Sequence, residues 1–371
     1  MSRATGAVID LAALRHNLQR VRELAPRSRI MAVIKANAYG HGIGIAARAL
    51  AAADAFAVAS LEEAQILRRA GLSNPVVLLE GVFGEEELEE AAQWSCELVV
   101  HDAYQLKLIE KSPLKAELGV WLKVDSGMNR LGFAPAAAAD AWKRLNQARA
   151  VRKPVRLMTH LASADETSNP KTLAQLEVFA AAIAGIDAER SIANSAGILA
   201  WPQSHADWVR PGSMLYGASP FANRDGADDG LKPAMTVQTA LIAVKSLKKG
   251  ETVGYGGAFV APADMSLGIA AIGYGDGYPR HAPTGTPMLV KGLRVPIVGR
   301  VAMDMIALDL SSLPGAAVGD PVIAWGPQLP VEEIARAAGT IPLELLCGVT
   351  QRVRYSVMDT QNETPAMEAG V

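Results

Sequence analysis

The chain has 371 residues, 50% hydrophobic and 20% charged, which is enough apolar content for a large core and more length than one ordinary domain uses, so two domains are expected. A formal net charge of −2 excludes the whole-surface attraction for nucleic acid or acidic lipid that a basic stripe would supply. Cys96 and Cys347 form no CxxC pair, the first six residues lack the apolar core of a signal peptide, and no window nears the ~18 apolar residues of a membrane span, so a cytoplasmic protein with free thiols is expected.

From Val8 to about Asp229 short apolar runs alternate with helical segments. The predicted strands are Ile30 to Lys35, Ala55 to Ala59, Val76 to Leu79, Leu98 to His101, Gly119 to Lys123, Arg156 to Thr159, Ser191 to Ala193 and Asp207 to Val209. Start and stop signals lie between them: Ser60 with Glu63 and Asp102 with Gln105 resemble capping boxes, Asn169 precedes Pro170 at a first-turn position, and Gly71 ends a helix. Eight strand–helix repeats predict a (β/α)8 barrel over residues 8–229, because parallel strands need crossover helices and closure removes the sheet edges. A doubly wound open sheet competes, but Gly40-His-Gly42-Ile-Gly44 has the wrong spacing for a dinucleotide fingerprint.

After about Gly230 the texture turns to strands: Met235 to Val244, Leu267 to Ile272, Met288 to Val290, Val295 to Val298, Met305 to Leu310 and Val322 to Trp325. Turns at Lys249-Gly250, Lys291-Gly292 and Pro314-Gly315 separate them. One helix is predicted over Val331 to Ala338, and the polar tail after Val357 is expected to fray. Residues 230–371 thus read as a mostly β domain, which residues 1–7 are candidates to join.

Barrel chemistry sits at the C-terminal ends of the strands. Those ends carry Lys35, Lys123 with Asp125, His160, Asn194 with Ser195, and Arg210. Taken alone, one lysine ending an apolar run reads as a snorkelling surface charge. Ser195 and Gly212, however, follow the seventh and eighth strands, whose loops commonly build a phosphate site, and Asn194-Ser195-Ala-Gly197 opens a helix whose N–H groups suit an anion. As an isolated signal Asn-Ser before a helix is a cap. Together with Lys35 it points to a phosphorylated carbonyl cofactor, pyridoxal 5'-phosphate, held by a Schiff base.

The motif series Ala32-Val-Ile-Lys35-Ala-Asn-Ala-Tyr39-Gly-His-Gly, Val124-Asp-Ser-Gly-Met-Asn-Arg130, Met158-Thr-His160, Ala193-Asn-Ser195, Val209-Arg210-Pro-Gly212, Gly254-Tyr255-Gly-Gly, Ile272-Gly-Tyr274-Gly-Asp-Gly-Tyr and Val298-Gly-Arg-Val-Ala-Met303-Asp304 resembles that of the alanine racemases, in order and over nearly the whole chain. The resemblance implies a pyridoxal-phosphate barrel with a C-terminal β domain. It also implies a head-to-tail homodimer in which each active site borrows residues from the partner and interconverts L- and D-alanine.

Carried over to this sequence, Lys35 holds the cofactor and is the base on one face of the substrate Cα, and Tyr255 of the other subunit is the acid/base on the opposite face. Tyr255 by itself reads as strand packing. Its neighbours Gly254, Gly256 and Gly257 strip that strand of side chains and suggest close backbone approach. Arg210 would face the pyridine nitrogen, where a guanidinium donates a hydrogen bond but does not give up a proton. The resemblance also implies that Arg130 binds the substrate carboxylate or steadies Tyr255, that the Met303 N–H helps orient that carboxylate, that Tyr39, Asn194, Ser195 and Gly212 hold the phosphate, and that His160 lies against the ring or supports Arg210. Tyr274 would narrow the entrance, with Asp304 in support. Lys123 matches a position often carbamylated, which would turn a cation into an anion orienting Arg130; an ordinary ion pair with Asp125 is the alternative.

Three positions depart from the family pattern. Leu343 stands where many members have a tyrosine on the phosphate, which implies weaker cofactor retention and a roomier pocket. Ala302 replaces a cysteine found in some members, and Ser191 replaces a histidine that in some touches the equivalent of Arg210. The competing functions are a broad-specificity racemase or a decarboxylase of the same barrel class and a non-catalytic cofactor-binding protein. A metal-dependent hydrolase is disfavoured, since the six histidines form no H-x-H or H-x-x-E pattern.

Overall fold

In the computed structural model, which describes residues 3–359, eight parallel strands close into a barrel. In chain order β1 is Gly6–Asp10, and the barrel strands are β2 (Arg29–Val33), β3 (Ala55–Val58), β4 (Val76–Leu78), β5 (Cys96–Val100), β6 (Val120–Lys123), β7 (Arg156–Met158), β8 (Arg190–Ser191) and β9 (Trp208–Val209). Seven were legible as apolar runs because helices cover the outer face and side chains fill the inner one, so most residues are buried; β8 holds no apolar residue and shares only Ser191 with the run predicted there. β2 closes on β9 with Arg29 opposite Trp208 and Ile30 opposite Val209.

The strands end earlier than the runs suggested. β2 stops at Val33, β7 at Met158 and β8 at Ser191, so Lys35, Thr159 and Ala193 lie in the loops beyond. Inside the barrel Met31, Val33, Ala55, Ala57, Val77, Val99, Trp121, Met158 and Trp208 form one cluster in which small Ala55 and Ala57 leave room for two indoles. Trp121 and Trp208 meet edge to face with centroids 5.7 Å apart.

The helix starts are only partly as expected. Asp102 caps its helix by accepting from the Tyr104 N–H, but Gln105 Oε1 accepts from the His101 N–H, one residue before the cap. At Ser60 the side chain makes no cap bond, and Glu63 accepts instead from the N–H groups of Ala59 and Asn37. Asn169 accepts from the Lys171 N–H ahead of the helix Lys171–Ala182, and Gly71 sits at φ +78° beyond the helix Leu61–Arg69.

The barrel belongs to a compact unit running from Asn17 to Leu215; the second unit joins the N-terminal stretch up to His16 with the chain from Tyr216 onward. Its strands are β10 (Met235–Leu247), β11 (Thr252–Val253), β12 (Phe259–Val260), β13 (Met265–Ala270), β14 (Pro287–Val290), β15 (Leu293–Pro296), β16 (Ile306–Asp309), β17 (Pro321–Trp325) and β18 (Arg354–Met358). The main sheet runs β15-β14-β17-β10-β1-β18, with β13 joining β10 to β16. Val8 lies in β1, which pairs antiparallel with β10 and parallel with β18. The predicted helix Val331–Ala338 forms, and a second, Pro342–Cys347, follows it. Val357 and Met358 close β18; the fraying expected beyond falls mostly on residues 360–371, outside the described residues.

Candidate active site

Beyond β2 the chain does something that periodicity does not reveal. Ala36, Asn37, Ala38 and Tyr39 all take left-handed backbone angles, with φ of 53°, 54°, 55° and 51°, and Gly40 continues at φ 80°. Such a conformation brings Cβ against the following carbonyl and costs about 1–2 kcal/mol per L-residue. A run of four therefore needs outside support and marks the segment as functional. Lys35 stands directly before this turn and Tyr39 ends it. The Tyr39 hydroxyl comes so close to Gly212 that a Cβ there would sit 2.7 Å from it, so only glycine fits.

Ser195 lies on the other side of Gly212. Its hydroxyl accepts the Gly212 N–H at 2.9 Å and the Met214 N–H at 3.4 Å, while Asn194 accepts the Gly197 N–H at 2.9 Å as the cap of the helix Ser195–Ala200. Tyr39, Ser195 and Gly212 thus converge from the loops after β2, β8 and β9. Hydroxyl and backbone donors in a cradle with no room for a Cβ are chemically what a phosphate requires.

Arg210 follows β9 and is 4% exposed. Its guanidinium donates to Ser191 Oγ at 2.6 Å and to the carbonyls of Thr159 at 2.5 Å and Ile192 at 3.2 Å, and His160 Nδ1 lies 3.5 Å away. Ser191 therefore supports Arg210 in place of the histidine some relatives carry. Burial lowers Arg210 to about 10. The same burial, reinforced by the positive charges of Arg210, Lys123, Arg130 and Lys35, holds His160 well below the usual histidine range and therefore neutral.

Lys123, the last residue of β6, is 8% exposed and lowered to about 8, first by burial and then by Arg210, Arg130 and Lys35. Asp125 counteracts this least of all. Its Oδ1 is committed to the N–H groups of Gly127, Met128 and Asn129 at 2.9, 2.9 and 3.0 Å, folding the loop that presents Arg130. Among the described residues no ion pair within 4.0 Å joins Lys123 to Asp125, whose charge reaches the lysine only as the weakest of the influences on it.

Sequence reasoning missed the groups that hold these loops. Gln175, 2% exposed on the helix Lys171–Ala182, donates to the His160 carbonyl at 3.1 Å and to Ser126 Oγ at 3.3 Å and accepts the Ala162 N–H at 2.8 Å; Ser126 and Thr159 share a hydrogen bond of 2.8 Å. No clear signal was available: the helix is not amphipathic, burying Thr172, Gln175 and Phe179 while Leu173 and Val178 stand exposed.

In the second unit Tyr255 is not in a strand. It stands 69% exposed on a turn between β11 and β12. Gly254, Gly256 and Gly257 supply φ of 70°, 70° and 57° there, which the turn requires, and a Cβ on Gly257 would also meet Thr252 at 3.3 Å. Tyr274 and Met303 occupy adjacent loops: the Tyr274 N–H donates to the Ala302 carbonyl at 3.1 Å and the Gly275 N–H to Met303 at 2.8 Å. Asp276 ties the loops down, binding Arg3 at 2.6 and 2.7 Å and Arg352 Nε at 2.9 Å, while Arg3 also reaches the Asp304 carbonyl at 2.8 Å.

A closed parallel barrel whose C-terminal mouth gathers a lysine, three further cations or their buried equivalents and a hydroxyl-lined cradle defines a barrel enzyme acting on anionic small molecules. Family models for the N-terminal and C-terminal domains of alanine racemase match residues 9–220 and 234–357. An alanine racemase of Nitrosococcus oceani is 59% identical over 94% of this chain and 97% of its own length, and a biosynthetic alanine racemase of Escherichia coli K12 is 51% identical over 96% and 99%. The crystal structure of the biosynthetic alanine racemase from Pseudomonas aeruginosa superposes with a TM-score of 0.93 at 47% identity, covering 96% of this chain and all of that one. The chain belongs to the alanine racemase family and is an isomerase.

Proposed function

We propose that the protein interconverts L- and D-alanine with pyridoxal 5'-phosphate at the mouth of the barrel, as a homodimer in which the second unit of each subunit completes the partner's site. The observation carrying this reading is the electrostatic debt of the mouth. Lys35, Arg130 and Arg210 lower Lys123, and with Lys123 they lower His160, while Asp125, the carboxylate that opposes the shift at Lys123, is committed to its own loop. Anions must therefore come from outside: a cofactor phosphate in the Tyr39–Ser195–Gly212 cradle and a substrate carboxylate at Arg130.

Bound there, pyridoxal 5'-phosphate would supply the electron sink that acidifies the substrate Cα–H. The Lys35 amine takes the proton from one face, and Tyr255 of the other subunit returns one on the opposite face. A side chain 69% exposed at the tip of a turn suits insertion into another subunit. Arg210, held on Ser191, Thr159 and Ile192, offers the ring nitrogen a hydrogen bond without a transferable proton, which limits electron withdrawal and keeps reprotonation at Cα. The Met303 N–H joins Arg130 on the carboxylate, while Tyr274 with Asp304 narrows the entrance. Lys123, partly neutral near pH 8, adds carbon dioxide through its amine and loses a proton to become a carbamate that orients Arg130.

The test uses both enantiomers in heavy water. Lys35→Ala should lose the visible absorbance of the bound cofactor, and Tyr255→Phe should retain α-proton exchange from one enantiomer while losing it from the other. Loss from both directions alike would count against two bases on opposite faces. Leu343, in the helix Pro342–Cys347, cannot donate to a phosphate. Leu343→Tyr should tighten cofactor binding by roughly 10-fold, one charge-assisted hydrogen bond, and sharpen preference for alanine over larger substrates; an unchanged affinity and substrate profile would remove this role.

A further inference from the structure

The left-handed turn after Lys35 has only a short backbone ladder, from the Ala38 N–H to the Ile34 carbonyl at 2.9 Å and from the Gly40 N–H to the Ala36 carbonyl at 3.1 Å, and side chains from two places reinforce it. Both short contacts of the His41 ring use Nδ1, at 3.1 Å to the Ala38 carbonyl and 3.0 Å to the Tyr39 carbonyl. Carbonyl oxygens only accept, so Nδ1 carries the proton and the imidazole stands in for a backbone donor. The ring is fully buried, and burial lowers its pKa to about 4, so it remains the neutral tautomer at physiological pH. From the helix Leu61–Arg69, Glu63 accepts the Asn37 N–H at 3.2 Å and the Ala59 N–H at 2.9 Å, tying the turn to the end of β3. Asn37 Oδ1 in turn accepts the Ile43 N–H at 2.8 Å.

We propose that His41 is a positioning residue: by clamping the Ala38 and Tyr39 carbonyls it fixes the left-handed turn, and so sets the Tyr39 hydroxyl against Gly212 in the phosphate cradle. The inference rests on reading Tyr39 as a phosphate contact. His41 touches neither cofactor nor substrate. Without its ring N–H the Tyr39 carbonyl loses this partner and the Ala38 carbonyl keeps the His41 backbone N–H at 3.0 Å, the strained residues relax toward ordinary backbone, and the hydroxyl at the far end of the turn leaves the cradle.

The experiment is a double-mutant cycle on the full-length enzyme, reading the dissociation constant of pyridoxal 5'-phosphate by fluorescence after reversible removal of the cofactor. Tyr39→Phe and His41→Leu should each weaken binding by roughly 10-fold, and the two together by little more than either, because both act through one hydroxyl. Full multiplication of the two effects, or unchanged affinity in His41→Leu, overturns the inference while leaving the Tyr39 contact standing. Unchanged affinity in Tyr39→Phe overturns both. If His41→Leu does not fold, His41→Asn and His41→Gln decide. The asparagine amide reaches where Nδ1 does and should keep near-native affinity, whereas the glutamine amide reaches toward Nε2 and should lose it. Equal affinities in the two variants overturn the role.

Discussion

The two mouths of the barrel handle charge in opposite ways. At the N-terminal mouth Arg29, Arg152 and Arg156 face Glu97 and Glu189. Glu97 accepts from Arg152 at 2.7 Å, Arg156 at 2.5 Å and the Trp121 indole at 3.0 Å, and Glu189 from the Trp208 indole at 2.9 Å and from Arg29. Arg29 lies 4.3 Å over the Trp208 ring and Arg156 5.0 Å over Trp121. Gly119 keeps the space open, since a Cβ there would meet Arg152 at 2.6 Å and Glu97 at 2.7 Å. Each buried polar group at this end has its partner within the chain. At the C-terminal mouth the cations face one another, and pKa values move accordingly. A balanced cluster stabilises; an unbalanced one is a binding site whose ligand supplies the missing charge.

Substitutions should separate the ends cleanly. Lys35→Met removes the cofactor's covalent anchor and one base, so kcat should fall by about 10⁴-fold, the upper range for losing a general base. Urea unfolding of the cofactor-free protein should show unchanged or higher stability, because one of several repelling cations is gone. A marked loss of stability would mean that the mouth is balanced after all. Glu97→Leu should do the reverse. It strands Arg152, Arg156 and the Trp121 N–H and should cost about 3–5 kcal/mol in urea, with kcat/KM unchanged well below the unfolding temperature. A comparable drop in kcat/KM would link the two ends.

The same contrast explains what the sequence revealed. Barrel strands such as Ala55–Val58 and Val76–Leu78 are apolar throughout and announce themselves, and Lys35, Lys123 and Arg210 interrupt or end such runs. The N-terminal cluster stayed hidden because Glu97 sits inside a strand and its partners Arg152 and Arg156 read as surface charge. Gln175 was hidden in a helix whose pattern does not mark its buried face. The left-handed turn was hidden most completely: Ala36 and Ala38 have no propensity for it, a lone Asn37 does not announce a run of four, and the contacts of His41 and Glu63 reinforce a short backbone ladder that no pattern reveals. Tyr255 was found through its motif but read as part of a strand, whereas its glycines take positive φ and build a turn.

Lys123 offers the smallest and most direct measure of the imbalance. Its folded value of about 8 lies below the ordinary lysine value of 10.5. Below about pH 8 the amine is protonated in both states, and the folded protein bears the full cost of a buried, crowded cation. Between about 8 and 10.5 the unfolded chain keeps a proton that the folded protein has released, so stability rises with pH; above 10.5 the cost has vanished. Lys123→Met, similar in length and uncharged, should therefore be more stable than the parent at pH 7 by up to about 3 kcal/mol, and the gap should close toward pH 10.5. Cofactor-free protein purged of carbon dioxide is the sample, and urea midpoints across that range are the readout. A gap independent of pH would show that Lys123 feels no uncompensated charge. Closure of the gap at pH 7 on adding bicarbonate, in the parent but not in Lys123→Met, would show the amine relieving that charge by becoming an anion.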